Sequence, residues 1–109
     1  MATIYKTLGQ AAPAATTSTD LYTVPAATSA ILSTIVVTNR SATDATFRIS
    51  QSLAGAVLAN KDYIVYDATV PGSGFITLTL GITMATTDKL RVYASTANLS
   101  FNVFGTELS

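Results

Sequence analysis

Residues 21–50 read LYTVPAATSAILSTIVVTNRSATDATFRIS, and this stretch decides the fold. β-Branched residues crowd the run Ser29–Asn39, a polar loop follows, and residues 46–50, TFRIS, alternate strictly. Alternation with period two is the mark of a half-buried strand, whereas a run apolar at successive positions marks a strand covered on both faces. In the run 29–39 we therefore expect Ile31, Ile35 and Val37 on one face and Leu32 and Val36 on the other, as in a central strand covered twice. In 46–50, Phe47 and Ile49 point inward and Arg48 outward. Leu21–Val24 is a shorter strand, stopped by Pro25, which has no N–H to donate to a ladder.

The same grammar continues outward in both directions. DYIVYD (62–67) reads as a strand, and PGSG (71–74) as a turn. FITLTL (75–80) places Ile76, Leu78 and Leu80 inward and Phe75 outward. TTDK (86–89) reads as a hairpin turn. LRVYA (90–94) sends Leu90, Val92 and Ala94 in and Arg91 and Tyr93 out, and LSFNVF (99–104) sends Leu99, Phe101 and Val103 in, leaving Phe104 out. Between them, QSLAGAVLAN (51–60) has no clear period and reads as an irregular loop with a short turn. Short strands at regular spacing, separated by turn clusters, predict an all-β fold: an antiparallel β-sandwich of jelly-roll or immunoglobulin-like type, with a small closed β-barrel as the alternative. Val36, Phe47, Leu78, Val92 and Phe101 are the expected core. Ahead of this domain (18–109), residues 1–17 combine TIYKTL with GQAAPAATT and read as an N-terminal arm, or a short strand plus connector.

Composition narrows the function. The chain has 109 residues, enough for one domain with one modest core. It is 49% hydrophobic but only 11% charged, against a usual charged share of about 25%. Such a chain folds rather than staying disordered, yet it is poorly supplied with the surface charge that keeps a free domain apart from its neighbours. A surface covered by partners is one reading, and a surface rich in Thr, Ser and Asn is the other. Six basic residues balance six acidic ones, so no overall field draws in nucleic acid. No stretch approaches the length of a membrane span, and the N-terminus lacks the apolar core of a secretion signal.

Chemistry is hard to place. With no histidine and no cysteine, the usual base, the thiolate nucleophile and the ordinary zinc ligands are missing. Lys6, Lys61 and Lys89 have no serine in a nucleophile-elbow setting beside them. Asp62 and Asp67 stand five apart and so face opposite sides of a strand; with Asp44 and Asp88 they read as turn aspartates bonding nearby backbone. We expect no enzyme, no catalytic residue, no metal and no cofactor. The aromatic residues are the remaining signal. Tyr5, Leu8, Phe75, Tyr93 and Phe104 form a candidate protein interface, since exposed aromatics anchor such surfaces. Tyr63, Tyr66 and Tyr93 form a candidate glycan platform. A second sheet covering these rings is the third reading.

Several segments together, Leu21-Tyr22 with Val24-Pro25, the apolar run into Asn39-Arg40, Thr46-Phe47-Arg48, Val92-Tyr93-Ala94 and Asn98-Leu99-Ser100-Phe101-Asn102, are similar to small virion structural proteins of tailed bacteriophages, especially phages of cyanobacteria and marine bacteria. The resemblance runs from Leu8 to the end of the chain. It implies a β-sandwich present in many copies on the virion and assembled in the host cytoplasm. It also implies phage structural proteins as partners, foremost the major capsid protein, together with self-association. A capsid decoration or cement protein is the leading expectation. A neck, tail, baseplate or fibre component is the first alternative, and a glycan-binding host-recognition module the second.

Overall fold

The computed structural model describes residues 2–109 and shows nine strands in two antiparallel sheets packed face to face. They are β1 (Thr3–Ala11), β2 (Thr19–Thr23), β3 (Ser29–Asn39), β4 (Ala45–Ser52), β5 (Tyr63–Val70), β6 (Phe75–Leu78), β7 (Ile82–Met84), β8 (Lys89–Ala94) and β9 (Leu99–Leu108). The first sheet runs β1-β9-β3-β6, with β7 also pairing β3; the second runs β2-β8-β4-β5. The fold is a β-sandwich, and no pairing closes the two sheets into the alternative barrel.

The core lies where the inward residues of the two sheets meet. Phe47, Ile49, Leu90 and Val92 from the second sheet and Leu32, Ile35, Val37, Leu99, Phe101 and Val103 from the first are all fully buried. Phe47 and Phe101 touch across the layers edge to face, with ring centroids 6.1 Å apart. The inward sets expected for 46–50, 90–94 and 99–104 are the ones found.

Three expectations about the strands and their turns need correcting, each for a physical reason. In β3 the register against β9 shifts between Leu32 and Thr34. Ser33 is the extra residue of a bulge, and one extra residue reverses which face every later side chain takes. Ile31 thus points outward while Leu32, Ile35 and Val37 point inward, and Val36 stands half-buried on the outer face, outside the core. The strand is central, between β9 and β6–β7, but only its inner face is covered by protein.

The second correction concerns 75–84. The strand stops at Leu78, Gly81 turns with φ +62°, and β7 resumes opposite the earlier half of β3. The break sits alongside the β3 bulge, where an unbroken partner would lose register. Leu80 is consequently exposed rather than inward, and Leu78 is half-buried against the core edge.

The third is the turn at 86–89, which makes no hairpin. It carries the chain from β7 in the first sheet to β8 in the second. All connections except β4–β5 and β6–β7 cross between sheets in this way. Turn chemistry marks where a chain reverses, while which sheet receives it depends on the whole layer.

Of the two readings of residues 1–17, a strand plus connector is the one seen, with a strand longer than TIYKTL. Residues 3–11 are a full strand paired to β9, and the Ala2 and Ser109 backbones exchange hydrogen bonds at its start, of 2.6 and 2.9 Å. Only 12–18 remain a connector. Met1, the first residue of the expected arm, lies outside the described residues.

Buried polar groups tie the margins. Asn39 Nδ2 donates to the Thr43 and Val70 carbonyls at 2.8 and 3.3 Å, and its Oδ1 accepts from the Ser41 N–H and hydroxyl. This one side chain shapes the loop between β3 and β4. Asp88 accepts the N–H groups of Ala54 and Ala85, Asp44 that of Gly72, and Asp62 that of Ala59. Asp62 and Asp88 bond backbone three residues away, as expected of turn aspartates, whereas Asp44 reaches across to the loop after β5 and Asp67, expected to do the same locally, pairs instead with Arg48.

Glu107 clamps the β1–β2 side. The Tyr22 hydroxyl of the second sheet donates to its Oε2 at 2.5 Å, and Lys6 Nζ lies 3.2 Å from its Oε1. The Tyr22 bond, outweighing burial and helped by Lys6, holds the Glu107 carboxyl below the ordinary range. Asp20, bonded first by Lys89 and then by Arg91, and Asp67, bonded by Arg48, are lowered as well. A depressed folded pKa means that the unfolded chain takes up protons first as pH falls. The stability these groups supply is therefore present above the unfolded carboxylate range, about pH 3.9–4.3, and disappears as pH falls through their lower folded values. Urea melts should show constant stability from neutral pH to about pH 5 and a decline below about 4. Glu107→Gln should be less stable at neutral pH and decline less steeply in acid. An unchanged acid slope in that variant would show that Glu107 contributes nothing to it.

Candidate interaction surface

The ladder register sorts every side chain of the first sheet by face. Tyr5 lies level with Thr106, Ile31 and Thr83 across β1, β9, β3 and β7. The next rows are Thr7, Phe104 and Thr34, then Gln10, Asn102, Val36 and Thr77, then Ser100, Thr38 and Phe75. All of these share the outer face, because they alternate with the buried set. None of them is charged. Tyr5 is 82% exposed and Phe75 65%, while Ile31 and Phe104 are also open to solvent. An open depression of about 540 Å³ lies on this face beside Tyr5, Lys6, Thr7, Ser33, Phe104, Gly105 and Thr106, and Lys6 there is paired with Glu107.

Local sequence accounts for the polarity. Threonine is β-branched and favours strands, and its hydroxyl tolerates water without requiring a charged partner. The Gln10 side chain donates to Asn102 Oδ1 at 2.7 Å, and the Ser33 hydroxyl donates to the Phe104 carbonyl at 3.1 Å. Polar groups on this face are thus partly satisfied by one another, which lowers the cost of taking them out of water.

The outer face of the second sheet is opposite in character. Asp20 is held between Lys89 Nζ at 2.9 Å and Arg91 Nε at 3.0 Å. Arg48 stands directly across from Tyr93, and a bulge in β5, with Asp67 at φ +54°, brings the Asp67 carboxylate against it. The contact is two-pronged, Nε to Oδ1 at 2.6 Å and an Nη to Oδ2 at 3.3 Å. The same guanidinium lies 4.2 Å from the Tyr66 ring centre and 4.4 Å from that of Tyr93, and Tyr63 meets Tyr66 edge to face at 4.9 Å.

The aromatic residues picked from the sequence therefore separate. Tyr5, Phe75 and Phe104 share the uncharged outer face of the first sheet. Leu8 sits at the β1 bulge and packs against the core. Tyr93 belongs to the other side of the molecule. The glycan candidates Tyr63, Tyr66 and Tyr93 do lie together, with Arg48 already occupying one face of the Tyr66 and Tyr93 rings. Ile31 and Val36 join the uncharged face without having been expected there, since only the bulge at Ser33 turns them outward. Leu53 and Val57, both exposed in the 53–59 loop, carry no periodic signal that would have marked them.

Among the described residues, no group of three or more His, Cys, Asp or Glu side chains is placed to hold a metal ion. What the arrangement offers is surface: one face without charge, one face of internally paired charges, and a loop end with apolar side chains. No protein-family model matches the chain, and no curated protein matches it either.

Proposed function

We propose that the chain is a structural protein of a bacteriophage particle, foremost a decoration or cement protein that bridges and stabilises shell subunits. The observation that carries this reading is the uncharged outer face of the first sheet, on which Tyr5, Ile31, Phe75 and Phe104 stand exposed among polar residues, the pattern of an interaction surface. The resemblance of 8–109 to small phage virion proteins supplies the setting. A protein that binds assembled shell and not free subunits stabilises the shell by mass action, and many symmetric copies multiply a modest affinity at each site.

The test is made on particles. A cryo-EM map of intact virions should place the sandwich on the capsid, and virions lacking the protein should release DNA at lower temperature than complete ones. Normal heat stability with failed assembly or infection would move the protein to the neck, tail, baseplate or fibre. With only 11% of its residues charged and no net charge, the protein should also stay attached through washing in about 1 M salt, where the Debye length is only about 3 Å. Loss from particles at moderate salt would refute apolar attachment. If host adsorption fell while particles stayed intact in a Tyr63→Ala, Tyr66→Ala, Tyr93→Ala variant, the glycan reading would replace this one.

A further inference from the structure

We infer that the outer face of the first sheet binds the same face of a second copy, so that the building unit is a two-fold dimer with Phe104 in the interface. This rests on reading that face as an assembly surface and names its occupant. The first argument is charge. In a two-fold contact a residue on the axis meets its own copy and an off-axis residue meets a different one, so a patch without charge fits in any register, whereas every charge must find an opposite partner or be buried unpaired. The second sheet's outer face carries Asp20, Lys89, Arg91, Arg48 and Asp67, whereas the outward rows of the first sheet carry none, and Lys6 at the depression on its β1 side is paired with Glu107. With zero net charge on the chain, nothing at long range opposes the approach of a second copy either.

The second argument is size. Four strands across at about 4.8 Å spacing, and the ten residues of β9 at about 3.4 Å each, give a face of roughly 19 by 34 Å. That is roughly 650 Å² in flat projection, and the relief of side chains such as Tyr5 and Phe75 adds to it. A stable interface of standard size covers about 800 Å² on each partner. The face is therefore of the extent that a dimer needs. Sheets that pack face to face interdigitate side chains across about 10 Å, and threonines with a few aromatics suit that spacing.

The test uses the purified full chain. Sedimentation or light scattering should find a dimer, and with Phe104, on the inner strand β9, at the two-fold axis, Phe104→Lys and Phe104→Glu should each be monomeric, because each sets like charges together. Mixing the two variants in equal amounts should restore the dimer, since the lysine and glutamate then pair. Circular dichroism and heat melts check that the fold is kept. If either variant fails that check, the pair Thr34→Lys and Thr34→Glu, next to Phe104 on the same face, makes the same test. A wild-type chain that stays monomeric to millimolar concentration would overturn the inference, as would a dimer that survives in both variants. No particle enters this measurement. A monomer found on virions would refute the dimer alone, and a dimer absent from virions would refute the virion role alone.

Discussion

Replacing Phe47 or Phe101 by alanine is expected to destabilise the protein by about 3–5 kcal/mol in each case. Both rings are fully buried, one from β4 in the second sheet and one from β9 in the first, and they meet edge to face at the centre of the sandwich. Truncation removes the transfer energy of a large apolar side chain and leaves a cavity that two hydrogen-bonded sheets cannot collapse to fill. Because the rings touch, the double variant should cost less than the two single costs added together. The edge-to-face contact should contribute a coupling of about 0.5–1.5 kcal/mol to that difference. Denaturant melts of the four proteins provide the measurement. A cost below about 1 kcal/mol for both single variants would contradict the strand phasing on which the core is drawn.

The second large effect is expected at Gly105, where the smallest change in side chain should cost about 3 kcal/mol, at the upper end for overpacking. Gly105 takes an inward position on β9, flanked by β1 and β3. A Cβ there would stand 2.2 Å from the Ile31 carbonyl oxygen and 3.0 Å from the end of Leu8. Leu8 can shift, but the Ile31 carbonyl belongs to the central strand, two residues from the bulge at Ser33. Gly105→Ala must therefore push backbone apart in the middle of the first sheet. Heat or urea melts should show the loss. A variant within about 0.5 kcal/mol of wild type, the range of a harmless surface change, would mean that β9 and β3 approach less closely here. Gly81→Ala is a useful contrast, since no atom lies near its Cβ and the strain there comes only from its φ of +62°.

Much of this molecule is legible along the chain because its strongest signals are local. Period two in 46–50, 90–94 and 99–104 follows from the pleat, and each of those strands buries the residues the period selects. Pro25, the turn in the PGSG segment and the bonds of Asp62 and Asp88 to backbone three residues away act through near neighbours, so their places are readable too. The want of charge is likewise visible in the composition, though not which face of the molecule it spares.

Other features depend on partners distant in sequence. The bulge at Ser33 has no residue signature of its own: it arises where β3 must pair β9 on one side and the interrupted β6–β7 on the other. Its consequence is large, since it turns Ile31 and Val36 out and completes the uncharged face. The bulge in β5 similarly swings Asp67 to Arg48, nineteen positions back in the chain, and places that guanidinium against Tyr66 and Tyr93. Whether residues 3–11 are an arm or a strand was decided by β9, at the opposite end of the chain, which offers them a ladder. A strand's own residues set its alternation and hence its two faces. Which face meets the core, which neighbour it pairs and whether it joins the sheet at all are set by hydrogen bonds and packing that exist only once both layers have formed.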